Sequence, residues 1–428
     1  MGRKFYVLAL VASVLGSMGA AADVSWHFSR LFDEFSWPHN LATSGFLLSL
    51  ALLYWALWRH RDQVTGAERV GLLIQATGLG LFLIAIPLDL TWHLIYGIDL
   101  TTWSPTHLLL FYSAVLSQVG VIIAWMASAS ARSRGAWLLT LGFCAVLLSQ
   151  VLFPAYQQEY AAVALASLTR TGLAPWYVAP DMWARAGRQA QRLARNGTPD
   201  WLYITYVAAV GALALTLSAM LLRVTFQRLT PHATGWRRTW NGAGGATAVV
   251  IVYLAFRVLA RGFFSLVGMP TATVSVWLLP LGLAIDLSLL LAAVTASDRP
   301  LAWDPRGWSQ QRVGAALLAW TALGGVAGAA GLYGVLAMLA HWGFSVPAVP
   351  GLAVPFALLT GALGGALGAP LAERILLFVE GAPSRAAAST GMGPAADRRW
   401  PSSAQVQWER AAAWGRAAAG RLAARRHG

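Results

Sequence analysis

Along this chain, apolar runs of about twenty residues alternate with short polar links. The runs fall at 5–22, 41–58, 71–90, 106–126, 136–153, 201–222, 243–259, 273–296, 313–340 and 351–372. A helix rising about 1.5 Å per residue needs about that length to cross a hydrocarbon layer. The pattern predicts an all-α fold, a polytopic membrane bundle of nine or ten transmembrane helices. The count turns on the first run. Arg3 and Lys4 precede it and Ala20, Ala21 and Ala22 close it, which fits a signal peptide cleaved before Asp23 and equally fits a first spanning helix.

The links set the direction of each run. Arginines gather at 59–69, 132–134, 223–238 and 298–312 and in the tail, and short basic links stay on the cytoplasmic side. The expected protein is thus integral to a cytoplasmic membrane, with its tail inside. The segments are 1–22, the signal peptide or first helix; 23–153, a membrane domain; 154–200, an extracytoplasmic loop; 201–372, a second membrane bundle; and 373–428, a basic cytoplasmic tail. Within the loop, 181–195 has the spacing of a basic amphipathic helix. Glycines four apart, such as Gly364 and Gly368, predict close helix packing in the last hairpin.

Composition agrees with this class and narrows the chemistry. The 428 residues are 57% apolar and 11% charged, unlike a soluble domain of that length. The net charge of +14 would point a soluble protein toward nucleic acid. Here the cations sit in links, so they read as topology signals and contacts with anionic membrane lipid, and no nucleic-acid partner is expected. Many of the 21 tryptophans flank apolar runs as an aromatic belt does. Cys144 is the single cysteine, so no thiolate cluster forms within one chain, and any metal site must use histidine and carboxylate. No phosphate-binding glycine loop and no Ser-His-Asp arrangement stands out.

The polar residues at the ends of the third and fourth runs carry the candidate chemistry. Asp89 and His93 in Leu88-Asp-Leu-Thr-Trp-His93 are four apart, so a helix places them on one face. Ser104 and Pro105 suit the N-cap and first position of the next helix, which puts His107 in its first turn. One carboxylate and two imidazoles then converge across a short loop at the outer face. That set suits copper, iron or zinc. The bland alternative is an interfacial polar cap in which Asp89 orients His93. An acid at the end of an apolar run is costly, however, and Pro87 just before it bends or frees the backbone.

Other polar groups lie along the same runs. Glu159 and Asp99 are candidates to support the ligands from behind. Arg257 and Asp286 are intramembrane charges whose depths differ by about 12 Å on these boundaries. They read as a structural ion pair or water-lined cleft, or alternatively as a proton or substrate path. His27 and His39 read as surface histidines, and His60, His232 and His427 lie in basic segments.

Leu88-Asp89-x-Thr91-Trp92-His93, then Ile98, Asp99 and Thr101, then Ser104-Pro105-Thr106-His107 resembles the C-type subunit of the copper membrane monooxygenases, which oxidise methane, ammonia or short hydrocarbons. The likeness is concentrated in residues 70–121 and marks a distant relative. It implies copper held by Asp89, His93 and His107, a catalytic role for those three, dioxygen as oxidant, a small apolar substrate, and A-like and B-like monooxygenase subunits as partners. The family's second ligand set has no counterpart, because no histidine lies between His107 and His232. The residues alone leave other readings open: a non-enzymatic copper-handling protein or small-molecule permease, or a structural subunit of a membrane complex.

Overall fold

The computed structural model describes residues 1–29, 36–96, 102–171, 200–230, 243–267, 269, 274–295 and 311–381. The expected amphipathic helix at 181–195, Asp99 and most of the tail lie outside the described residues. Among the described residues, ten helices are long and apolar enough to cross a membrane, and no strand occurs. In order they are α1 (Arg3–Ser29), α2 (Trp37–Tyr54), α3 (Gly66–Tyr96), α4 (Pro105–Ala127), α5 (Ala136–Thr171), α6 (Asp200–Leu229), α7 (Gly245–Leu266), α8 (Leu279–Thr295), α9 (Gln311–His341) and α10 (Ala353–Gly381). A π-helical turn, Trp55–Arg59, ends α2, and a short 3-10 turn, Val276–Leu278, leads into α8.

Every expected run is a helix, and most helices outlast their runs. In α3 the extension matters, because the helix continues from the expected end at residue 90 to Tyr96 and carries His93 in register with Asp89. In α5 the chain stays helical through Pro154 to Thr171, so the first part of the expected loop is helix. A proline removes one N–H without ending a helix when its neighbours satisfy the carbonyls it leaves. The expected tail also begins as helix. Beyond Glu373 and Arg374 the apolar group Ile375 to Val379 prolongs α10, with Leu376 fully buried.

Helix α6 is the centre of the bundle. In its membrane-crossing window 83% of residues are buried, and it meets α5, α7, α8, α9 and α10. By contrast α2, at 17%, lies at the periphery, packed chiefly on α1. Small residues allow the closest approaches, as expected for the last hairpin. A Cβ on Gly361 would meet the backbone of Gly325 in α9, and one on Gly364 or Gly368 would meet the backbone of α6 at Ala209 or Leu213. The same device joins α3 to α4, where Gly78 lies against the backbone of Ser117 and Gly120 against that of Gln75. Without a hydrophobic drive between helices in lipid, such contacts hold the bundle by dispersion and fit.

Substituting Gly364 by Leu is expected to lower unfolding stability in detergent by about 1–3 kcal/mol or more, since backbone and not a flexible side chain blocks the added atoms. Gly334→Ala, where the new methyl meets nothing within 4 Å, serves as the control and should stay within about 0.5 kcal/mol of the parent in the same thermal melt.

Candidate metal centre

The site is built where α3 ends and α4 begins. Asp89 and His93 occupy successive turns on one face of α3, with side chains 16% and 25% exposed. Pro87 lies two residues before Asp89 inside the helix, and Thr91 Oγ1 donates to the Pro87 carbonyl at 2.7 Å. Across the loop, Ser104 is the N-cap of α4, and its hydroxyl accepts from the His107 N–H at 3.2 Å. That bond satisfies one of the free donors at the helix start. It also fixes His107 in the first turn, as the Ser-Pro pair predicts.

One hydroxyl orients the carboxylate. Thr106 Oγ1 donates to Asp89 Oδ1 at 2.6 Å, which leaves Oδ2 to face the imidazoles. Asp89 Oδ2 is 3.5 Å from His107 Nε2 and 3.7 Å from His93 Nε2. One ligating atom from each of the three residues lies within 4.8 Å of the other two. The imidazole centroids are 5.4 Å apart with planes at 73°, so the rings approach the common point from crossed directions. His107 stacks on Phe111 at 6.0 Å and 15°.

The start of α4 is also braced from behind. Thr102 Oγ1 donates to the Pro154 carbonyl at 2.6 Å, and Trp103 packs edge-on against Tyr206 of α6 at 4.9 Å. Tyr206 in turn donates to the Val151 carbonyl and lies 3.3 Å from the Tyr112 hydroxyl. The start of α4, which carries His107, is therefore tied to α5 and α6 on both sides of that residue.

The donor set fits a first-row transition ion. Bonds of about 2.0–2.1 Å to nitrogen or oxygen put tetrahedral ligand atoms about 3.3–3.4 Å apart, and the two carboxylate–imidazole separations need to close by only a few tenths of an ångström. Two imidazoles and one carboxylate suit copper, zinc or iron better than calcium or magnesium, which prefer all-oxygen surroundings. Three protein ligands leave a coordination position for a further molecule. Cys144 is fully buried in the middle of α5 and contributes nothing here.

The other predicted polar residues go elsewhere. Glu159, expected behind the ligands, is 3% exposed and forms an ion pair with Arg257. Its Oε1 also accepts from Tyr203 at 3.0 Å and from Ser275 at 2.9 Å. Trp277 Nε1 donates to the Tyr203 hydroxyl at 3.0 Å, and the Arg257 guanidinium lies 4.2 Å above the Tyr156 ring. Asp286 serves a different end of α7: it accepts from the N–H groups of Ala246 and Thr247 at 2.9 and 2.8 Å and from the Thr247 hydroxyl at 2.6 Å. A carboxylate from α8 thus caps the start of α7. Arg257 lies ten residues further on, about 15 Å along the same helix, so the expected ion pair between Arg257 and Asp286 does not form, and Arg257 pairs with Glu159 instead.

The two polar centres are joined by rings. Phe111, stacked on His107, packs on Phe153 at 4.5 Å, and Phe153 packs on Tyr156 at 5.1 Å, beneath Arg257. Sequence reasoning assigns Thr106 and Tyr203 no role. Thr106 stands beside a ligand in the first turn of a helix, which is the only signal it offers; Tyr203 offers none. His39, at the start of α2, meets Asp23 at 3.1 Å and the Ser36 hydroxyl at 2.9 Å.

Compared with protein-family models, with curated proteins and with solved structures, the chain matches none.

The Glu159–Arg257 pair sets a stability prediction. Arg257→Leu strands a buried carboxylate and is expected to lower stability by about 3–5 kcal/mol, whereas Glu159→Leu combined with Arg257→Leu should recover most of that loss. Unfolding in detergent of the two single variants and the double variant measures both.

Proposed function

We propose that this integral membrane protein binds one copper ion at Asp89, His93 and His107 and oxidises a small apolar molecule with dioxygen, in the manner of the copper membrane monooxygenases whose C-type subunit it resembles. The observation that carries the reading is the convergence of three ligating atoms from two helices within 4.8 Å, with Thr106 turning the carboxylate toward the imidazoles. Copper, when bound, supplies the oxygen chemistry. The chain supplies orientation and access. Ser104 and Thr106 hold His107 and Asp89, and Phe111 holds the plane of the His107 ring.

The surroundings favour an apolar substrate. Leu90, Leu94 and Ile95 beside the ligands on α3 are 46%, 79% and 67% exposed, so this end of the helix presents an apolar surface. Methane, ammonia and short hydrocarbons are the substrate class that the resemblance supplies, and A-like and B-like subunits are the partners. On the charge rule the site faces outward and the tail lies in the cytoplasm.

Metal analysis of the purified chain tests this reading. The parent is expected to retain about one copper, and D89A, H93A and H107A to lose it. T106V, which removes only the hydrogen bond behind the carboxylate, should weaken copper binding about 10–100-fold. Copper-dependent oxygen uptake stimulated by a short hydrocarbon or ammonia, and abolished in D89A, completes the case. Copper content unchanged in all three ligand variants would end it.

A further inference from the structure

A second candidate binding site lies at the opposite end of the bundle from the metal centre. There the start of α1 meets the link between α4 and α5, residues 128–135. Arg3 Nη1 donates to the Arg134 carbonyl at 3.3 Å, and the Arg3 guanidinium lies over Gly135, which adopts a φ of +78°. Ser130 Oγ donates to the Met1 carbonyl at 3.3 Å, fastening the link to α1. Lys4 follows Arg3, and Arg132 lies near enough to Arg228 at the end of α6 for the two charges to repel.

Four cations are thus concentrated with little to offset them. Arg3, Lys4, Arg132 and Arg134 are all exposed, and among the described residues no carboxylate lies within 4.0 Å of any of them. Two of the acids at this end are otherwise engaged. Glu68 is held by the Met1 ammonium and by the Tyr6 hydroxyl, and Glu380 by Arg228, which also donates to the Met126 carbonyl. Like charges gathered by the fold without counter-charge repel one another, and a bound anion relieves that repulsion.

What lies beneath the cations identifies the anion. Val7, Leu8 and Val11 of α1 and Leu138 in the first turn of α5 are 41%, 46%, 43% and 51% exposed, and α1 and α5 pack against each other. Exposed aliphatic side chains four residues beyond the cations, Val7 and Leu8 after Arg3 and Lys4 and Leu138 after Arg134, match a phosphate headgroup with acyl chains attached, and a free phosphate would leave them unused. We infer that the Arg3, Lys4, Arg132 and Arg134 cluster binds the headgroup of an anionic phospholipid whose chains lie along the α1–α5 seam.

Native mass spectrometry of the delipidated full chain, titrated with phosphatidylglycerol or phosphatidylcholine, tests the inference without reference to the metal centre. Phosphatidylglycerol is expected to bind more tightly. R132Q/R134Q should weaken it about 25-fold, from two surface charges each contributing about fivefold. R132K/R134K, which keeps the charge, should bind as the parent does. Equal affinity for the two lipids, an unchanged R132Q/R134Q, or an R132K/R134K variant as weak as R132Q/R134Q would each overturn the proposal. Displacement of the lipid by millimolar inorganic phosphate would overturn it as well, because the site would then be one for free phosphate.

Discussion

Inside hydrocarbon there is no water to satisfy a polar group, and that constraint governs both the fold and the site. It forces the backbone into helices that close their own hydrogen bonds, and it requires every buried side-chain dipole or charge to find a protein partner. The bundle meets the requirement repeatedly. Gln118 Nε2 donates to the Phe143 carbonyl and Trp125 Nε1 to Thr140 between α4 and α5. Threonines bond back to their own helices at Thr77, Thr205 and Thr321. Glu159 and Arg257 neutralise each other, and Asp286 is spent on the start of α7. In the triad of Asp89, His93 and His107, the Asp89 oxygen facing the imidazoles stands 3.5 and 3.7 Å from their Nε2 atoms, and the other carboxylate oxygen accepts from Thr106.

The two polar centres are linked in space. A buried ion pair is weak evidence for stability and is better understood through what it positions. Here Arg257 covers Tyr156, Tyr156 packs on Phe153, Phe153 on Phe111, and Phe111 on the ring of His107. Helices α5 and α7 therefore bear on His107, which α4 carries. The Tyr206 hub adds α6 to the same support.

Much of this is legible in the sequence, for identifiable reasons. Apolar runs of membrane-spanning length declare their helices, and the four-residue interval of Asp89 and His93 together with Ser104-Pro105 brings the three side chains to one end of α3 and α4 before any coordinates are known. The rest depends on tertiary arrangement. Glu159 and Arg257 are 98 positions apart, and nothing local says that α5 and α7 will bring them together. The helical continuation past Pro154 and past Glu373 escapes a sequence reading because a proline and a charged pair look like stops, whereas the residues that follow still have bundle surface to cover. The role of Thr106 emerges only when the start of α4 is set beside the end of α3.

The central claim is that three side chains from two helices form one metal site. X-ray absorption at the copper edge of the copper-loaded protein tests it most directly. The account predicts a copper ion with two imidazole nitrogens and a carboxylate oxygen at about 2.0 Å, and no such shell in H107A. A sulfur-containing shell, or a shell unchanged in H107A, would contradict it.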